Sequence, residues 1–151
     1  MKVIEGDLIK LALAKTFDVI IHGCNCRCTM GAGIAKMIKD VFPEAYEADL
    51  KTNKGSKEKL GTISYATVLR NEHEITVVNG YTQYDYKGPG VLADYEAIRS
   101  VMRRVKDRFS GKKIGYPKIG AGLAGGDWGV ISEIIDQELQ GEDHTLVEFV
   151  R

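Results

Sequence analysis

The period of apolar positions changes repeatedly along the chain. KVIEGD (2–7) alternates like a strand and breaks at Gly6. LIKLALAK (8–15) reads as a short helix, and FDVIIHG (17–23) is a continuous apolar run bounded by glycine, the pattern of a strand buried on both faces. A glycine-rich loop follows. GIAKMIKDVF (33–42) puts apolar residues at 34, 37, 38 and 42, a helical spacing, and Pro43 opens a second helix in PEAYEADLKTN (43–53). NKGSKEK (53–59) is a polar surface loop. LGTISYATVL (60–69) and EITVVNGY (74–81) predict two strands joined by the hairpin-like turn RNEH. After the loop TQYDYKGPG (82–90), residues 91–109 carry the longest helical pattern. GKKIGYPKI (111–119) reads as a strand and GAGLAGGD (120–127) as a second glycine loop. Then come a helix over 128–139, with Asp127 as its N-cap, and a last strand over 144–150. Strands alternating with helices predict an α/β fold, one mixed sheet between helices, in a single domain spanning 1–151.

The 151 residues are 44% hydrophobic and 28% charged, a globular composition. Twenty-one basic residues balance twenty-one acidic ones, which argues against bulk attraction to nucleic acid or an anionic membrane. No apolar run approaches the ~20 residues of a membrane span. The N-terminus carries acids among its apolar residues and no small-residue cleavage site, unlike a signal peptide. With three cysteines, an odd number, the chain reads as a reduced, cytoplasmic protein. Arg99, Arg103, Arg104, Lys106 and Arg108 make the long helix basic, the usual pattern of a solvated face.

Both glycine loops follow an apolar strand and open a helix: MGAGIA leads into AKMIKDVF, and IGAGLAGGD into WGVISEII. Glycine lets backbone approach a ligand closely. The first N–H groups of a helix are unsatisfied and favour anions such as phosphate. Two such loops facing each other across the strand ends suit a diphosphate better than a single phosphate. GAGLAG (120–125) also matches the dinucleotide fingerprint G-x-G-x-x-G, but too little sheet follows it for a Rossmann unit. MGAGIAK does not meet the Walker A pattern.

All three cysteines lie in HGCNCRCTMGAGIA (22–35), at every second position. With His22 they would make four zinc ligands along one extended segment, a poor tetrahedron. The C-x5-R loop of cysteine phosphatases is absent, because counting from Cys24, Cys26 and Cys28 lands on Met30, Ala32 and Ile34. The default is a small buried thiol at Cys24, with Cys26 and Cys28 on the loop. Asn25 is either a turn-former or an amide that holds a sugar hydroxyl.

The order GDL, then VIIHGCNC with GAGIA, then PKIGAGLAGGDW resembles the macrodomain family, which binds ADP-ribose. The likeness runs over essentially the whole chain. It is nearest to the branch containing yeast-type ADP-ribose 1″-phosphate phosphatases and terminal ADP-ribose glycohydrolases. The resemblance implies a three-layer α/β/α fold with a sheet of about six strands. It implies that Asp7 accepts from the adenine amino group, with Leu8 beside it, unless Asp7 only caps the following helix. Gly31, Ala32, Gly33 and Ile34 match the loop that holds the diphosphate and nears the distal ribose, and Asn25 matches the contact to that ribose. Gly120, Ala121, Gly122, Leu123 and Ala124 match the second phosphate loop, and Phe149 an aromatic that stacks on adenine, or else plain core.

The chain departs from the lysine-dependent glycohydrolases. VVNGYTQ (77–83) lacks their lysine, Lys87 is displaced, and Ala124 stands at their aspartate. The resemblance therefore implies hydrolysis of ADP-ribose 1″-phosphate to ADP-ribose and phosphate, with no cofactor and no metal. His22 or Asp127 would place or activate water, and Asn25 would hold the ribose. Each has a structural role open to it: a hydrogen-bonded core histidine, a helix cap and a turn. A binding module without turnover, or a hydrolase acting on ADP-ribosylated protein or nucleic acid, are the alternatives. An open basic groove beside the distal ribose would favour the latter. TQYDYKGPG is either a lid or a connector.

Overall fold

The computed structural model describes residues 1–150. In chain order the elements are β1 (Lys2–Gly6), α1 (Leu8–Leu13), β2 (Val19–Asn25), α2 (Gly33–Val41) and α3 (Pro43–Leu50). Then follow β3 (Ile63–Arg70), β4 (His73–Gln83), α4 (Tyr95–Phe109), β5 (Lys113–Tyr116), α5 (Trp128–Glu138) and β6 (Asp143–Phe149). The six strands form one sheet in the order β1-β6-β5-β2-β4-β3, parallel throughout except for the β3–β4 hairpin. Among the described residues no helix is long and apolar enough to cross a membrane.

Burial explains the sequence periods. β2 lies between β5 and β4, and six of its seven residues are buried, hence its unbroken apolar run. β1 is an edge strand and largely exposed. On one face of the sheet, α1, α2 and α3 bury Leu8, Ile9, Ile38, Phe42 and Ala45 against Ile20, Val77 and Val147. On the other, α4 and α5 bury Ile98, Met102, Ile131 and Ile135 against Ile21, Val78 and Ile114. The result is three layers, α/β/α.

Several boundaries shift for local reasons. The helix expected from residue 91 starts at Tyr95, because Asp94 is its N-cap and accepts from Ala97 N at 3.0 Å. The strand expected over 111–119 stops at Tyr116, before Pro117, which has no N–H to give the ladder. The strand expected from residue 60 begins at Ile63, after Gly61 at φ +84°. The RNEH turn pairs Arg70 with His73 and holds Asn71 and Glu72 at φ 51° and 62°, the type I′ geometry of tight hairpins. Because the strands other than β3 run parallel, Gly6, Asn25, Gln83, Tyr116 and Phe149 all end on one rim.

Candidate functional site: a crevice along the strand ends

Three adjoining hollows run along that rim. The first, about 300 Å³, lies at the ends of β1 and β6. Its walls are apolar (Leu8, Ile34, Met37, Val147 and Phe149), with Asp7 the one carboxylate among its lining residues. Phe149 points the same way as Val147, yet it is 60% exposed where Val147 is 3%. It is a free aromatic face at the hollow, not core. Asp7 also caps α1, with Oδ1 accepting from Ile9 N and Lys10 N at 3.0 and 3.1 Å.

The second hollow, about 270 Å³, lies between the two glycine loops. Ala32, Gly33 and Ile34 form one wall, and Gly120, Gly122, Leu123 and Ala124 the other. Ala32 is the N-cap of α2 and offers no side-chain acceptor, so the first N–H groups of that helix have no side-chain partner. Gly33 takes φ +58°, and a Cβ there or on Gly122 would meet no atom within 4 Å. The second loop is closed by Gly126 N donating to Gly120 O at 2.7 Å. A Cβ on Gly126 would come within 2.5 Å of that oxygen, which is why the loop needs glycine there.

The third hollow, about 450 Å³, ends the crevice at β2 and β4. Asn25, Thr29, Gly31, Gln83 and Tyr86 line it, and Leu123, 84% exposed, borders both it and the second hollow. Asn25 builds the loop: Nδ2 donates to Thr29 O and Oγ1 at 3.1 and 2.8 Å, and Oδ1 accepts from Arg27 N at 2.8 Å. The loop is braced from behind by Lys59, which is buried. Its Nζ donates to Cys26 O at 3.3 Å and to Cys28 Sγ at 3.4 Å, and stands 4.4 Å over the Tyr81 ring.

Three expected site residues lie elsewhere. His22 is fully buried on the α1–α3 side of the sheet and lines none of the three hollows. Asn79 Nδ2 donates to Ala45 O and Ser64 Oγ, so Asn79 Oδ1 accepts from His22 Nε2 at 2.7 Å. Burial lowers the His22 pKa to about 4, so the ring is neutral at pH 7 and shares its pocket with the Cys24 thiol. The ring itself reaches no hollow; its link to the crevice runs through Cys24, whose Sγ is 3.4 Å from Nε2 and which lines the third hollow. Asp127 is exposed and spends Oδ1 on Gly129 N and Val130 N, at 2.8 and 3.4 Å. It caps α5 and borders no hollow of the crevice. Ala121 packs against the α4–α5 core, its N–H tied to Lys118 O at 3.2 Å.

Cys24, Cys26 and Cys28 are all buried, although the latter two sit on the loop. Burial pushes the Cys24 and Cys26 thiols up. The basic face of α4 is largely committed: Arg99 and Arg103 hold Glu138 at 2.8 and 3.0 Å, and Arg108 stands 5.3 Å over the Tyr65 ring. A hollow of about 600 Å³ lies there, between β3 and α4, and shares no lining residue with the crevice. Thr29, Gln83, Tyr86 and Met37 line the crevice without having been singled out in the sequence. Each is an ordinary residue type, and only the chain path brings it to the rim.

The Macro domain family model matches residues 21–135. A relative from Enterobacteria phage T4, an uncharacterized 17.5 kDa protein of the tk-vs intergenic region, is 36% identical over 141 residues, covering 90% of this chain and 88% of the relative. An ADP-ribose 1″-phosphate phosphatase of Aspergillus fumigatus is 46% identical, but over 43 residues only, 28% of this chain and 20% of that protein. Among solved structures, Thermosipho africanus DarTG in complex with ADP-ribose superposes with a TM-score of 0.75 over 99% of this chain and 41% of that one, at 19% identity. At that identity the likeness is one of fold. A family match across most of the chain, on a six-stranded mixed sheet between two helical layers, is sufficient: the protein belongs to the Macro domain family.

Proposed function

We propose that the protein binds ADP-ribose along this crevice. The order of chemistries carries the reading: an apolar hollow with one carboxylate and an open phenyl ring, then a backbone-lined hollow between two glycine loops, then a mixed hollow where Asn25, Thr29, Gln83 and Tyr86 stand among Cys24, Ala32, Ala35 and Leu123. Adenine, diphosphate and distal ribose have those properties in that order. Adenine would stack on Phe149, with its amino group toward Asp7. The helix N-terminus of α2 and the loop at 120–124 would take the diphosphate. Gln83 and the loop ordered by Asn25 would meet the distal ribose.

The test is calorimetric titration of ADP-ribose into the wild type and Gly122→Val. Gly122 lies outside the left-handed region and has open space around its Cβ, so valine leaves the fold intact while crowding the second hollow. The expected result is one site in the wild type. In the variant, affinity falls roughly 5- to 150-fold at unchanged melting temperature, the factor for about 1–3 kcal/mol of overpacking. Equal binding by the two proteins would remove the diphosphate assignment.

Hydrolysis of ADP-ribose 1″-phosphate is the second reading. The 43-residue likeness to a fungal phosphatase of that name supports it. With His22 and Asp127 outside the crevice, it would rest on binding energy from the nucleotide end and on backbone donors at the transferred group, not on those two side chains. Multiple-turnover phosphate release is the expected signal. Binding without release would assign the protein to ADP-ribose recognition alone, or to removal of ADP-ribose from a macromolecule.

A further inference from the structure

A fourth hollow, about 370 Å³, continues the crevice beyond the third. Its lining residues are Arg27, Thr29, Lys54, Asp85, Tyr86 and Lys87. Thr29 and Tyr86 also line the third hollow, so the two share a wall. A group attached to the distal ribose, on the side away from the diphosphate, would enter it.

We propose that this hollow is an anion subsite for a phosphate carried on the distal ribose; the proposal rests on ADP-ribose lying in the crevice as described above. Three cations face one carboxylate, and that carboxylate is already engaged. Asp85 Oδ1 accepts from Tyr86 N at 2.8 Å, and Oδ2 stands 3.4 Å from the Arg27 guanidinium. Among the described residues neither Lys54 nor Lys87 forms an ion pair. Arg27 is held before any ligand arrives. Its guanidinium lies 4.9 Å over the Tyr84 ring, and its backbone N–H donates to Asn25 Oδ1. Tyr84 is fixed in turn, its hydroxyl donating to Gly55 O at 2.7 Å and its carbonyl accepting from Cys26 N at 2.9 Å. A guanidinium fixed this way binds a phosphate oxygen pair with little loss of freedom. Thr29 stands at the shared wall. Its Oγ1 accepts from Asn25 Nδ2, which leaves its own hydroxyl hydrogen to donate.

Lys54 and Lys87 are exposed loop residues, so replacing them spares the fold. The experiment compares binding of ADP-ribose and of ADP-ribose 1″-phosphate to the wild type and to the Lys54→Ala/Lys87→Ala protein, with titrations shorter than one turnover. If phosphate is released, KM and kcat are measured for both proteins. The wild type is expected to bind the phosphorylated ligand roughly tenfold more tightly at low salt, with the advantage shrinking as salt screens exposed charge. The double variant is expected to lose that advantage, as a rise in KM, while its affinity for ADP-ribose changes less than about twofold. Equal binding of the two ligands by the wild type, or an advantage retained in the variant, would overturn the subsite alone. Failure of ADP-ribose itself to bind the wild type would overturn the crevice reading on which the subsite depends.

Discussion

Phe149 separates the two things an aromatic at the end of a strand can do. Its neighbour on the same face, Val147, is 3% exposed and sits in the core against α1 and α2, whereas Phe149 is 60% exposed at the rim of the apolar hollow. A phenylalanine packed in a core costs about 3–5 kcal/mol when cut to alanine. One that stands in water costs the fold about 0.5 kcal/mol or less. If adenine stacks on the ring, Phe149→Ala loses about 1–3 kcal/mol of binding, a 5- to 150-fold weaker affinity for ADP-ribose. Thermal unfolding should move by no more than about 2 °C in a chain of this length. The assay is calorimetry with ADP-ribose, beside melting curves of both proteins. A variant that binds like the wild type would refute the stacking argument. A variant destabilised by several kcal/mol would refute the reading of Phe149 as a free face.

Asp127→Ala should cost about 1 kcal/mol of stability through the lost cap on α5, seen by urea unfolding, while ADP-ribose affinity and any phosphate release stay unchanged; a loss of turnover at unchanged substrate binding would restore Asp127 to the chemistry. His22 should make stability fall as the pH is lowered. Its folded pKa of about 4 lies below the unfolded value near 6.5, so between those values the unfolded chain binds the extra proton. Its contribution is full above pH 6.5 and is lost toward pH 4, at up to about 1.4 kcal/mol per pH unit. His144, also lowered by burial, acts in the same direction, so the informative quantity is the difference between the wild type and His22→Gln, whose slope should be shallower across this window. An unchanged slope in the variant would mean that His22 is not held neutral by burial.

Where an element starts and stops was largely legible, because those signals are local. A carboxylate that can cap sits before α1 and α5, Pro43 opens α3, and two glycine-bearing loops follow apolar strands. The errors at Tyr95 and Tyr116 were local too, since the cap at Asp94 and the missing donor at Pro117 are both visible in the residues. The crevice was legible only in its backbone. Glycines at 31, 33, 120 and 122 mark places where chain must pass close to something, and they do line the second and third hollows.

The side chains were another matter. Alternation along β2 sends residues 20, 22 and 24 to one face and 21, 23 and 25 to the other, but a strand buried on both faces has no exposed side to say which face is which. Only the packing of α3 and the amide of Asn79 reveals that His22 is enclosed beneath the rim and not open to it. Arg27, Lys54 and Lys87 lie on three separate loops and form no pattern along the chain. They share a hollow because β2 and β4 are neighbours in the sheet and the loop at 53–56 folds back onto Cys26 and Tyr84. Apolar period, caps and glycine act over a few residues and are written in the chain itself. The direction of a buried side chain and the meeting of distant charges depend on which surfaces pack together, and that is settled only when the whole sheet is assembled.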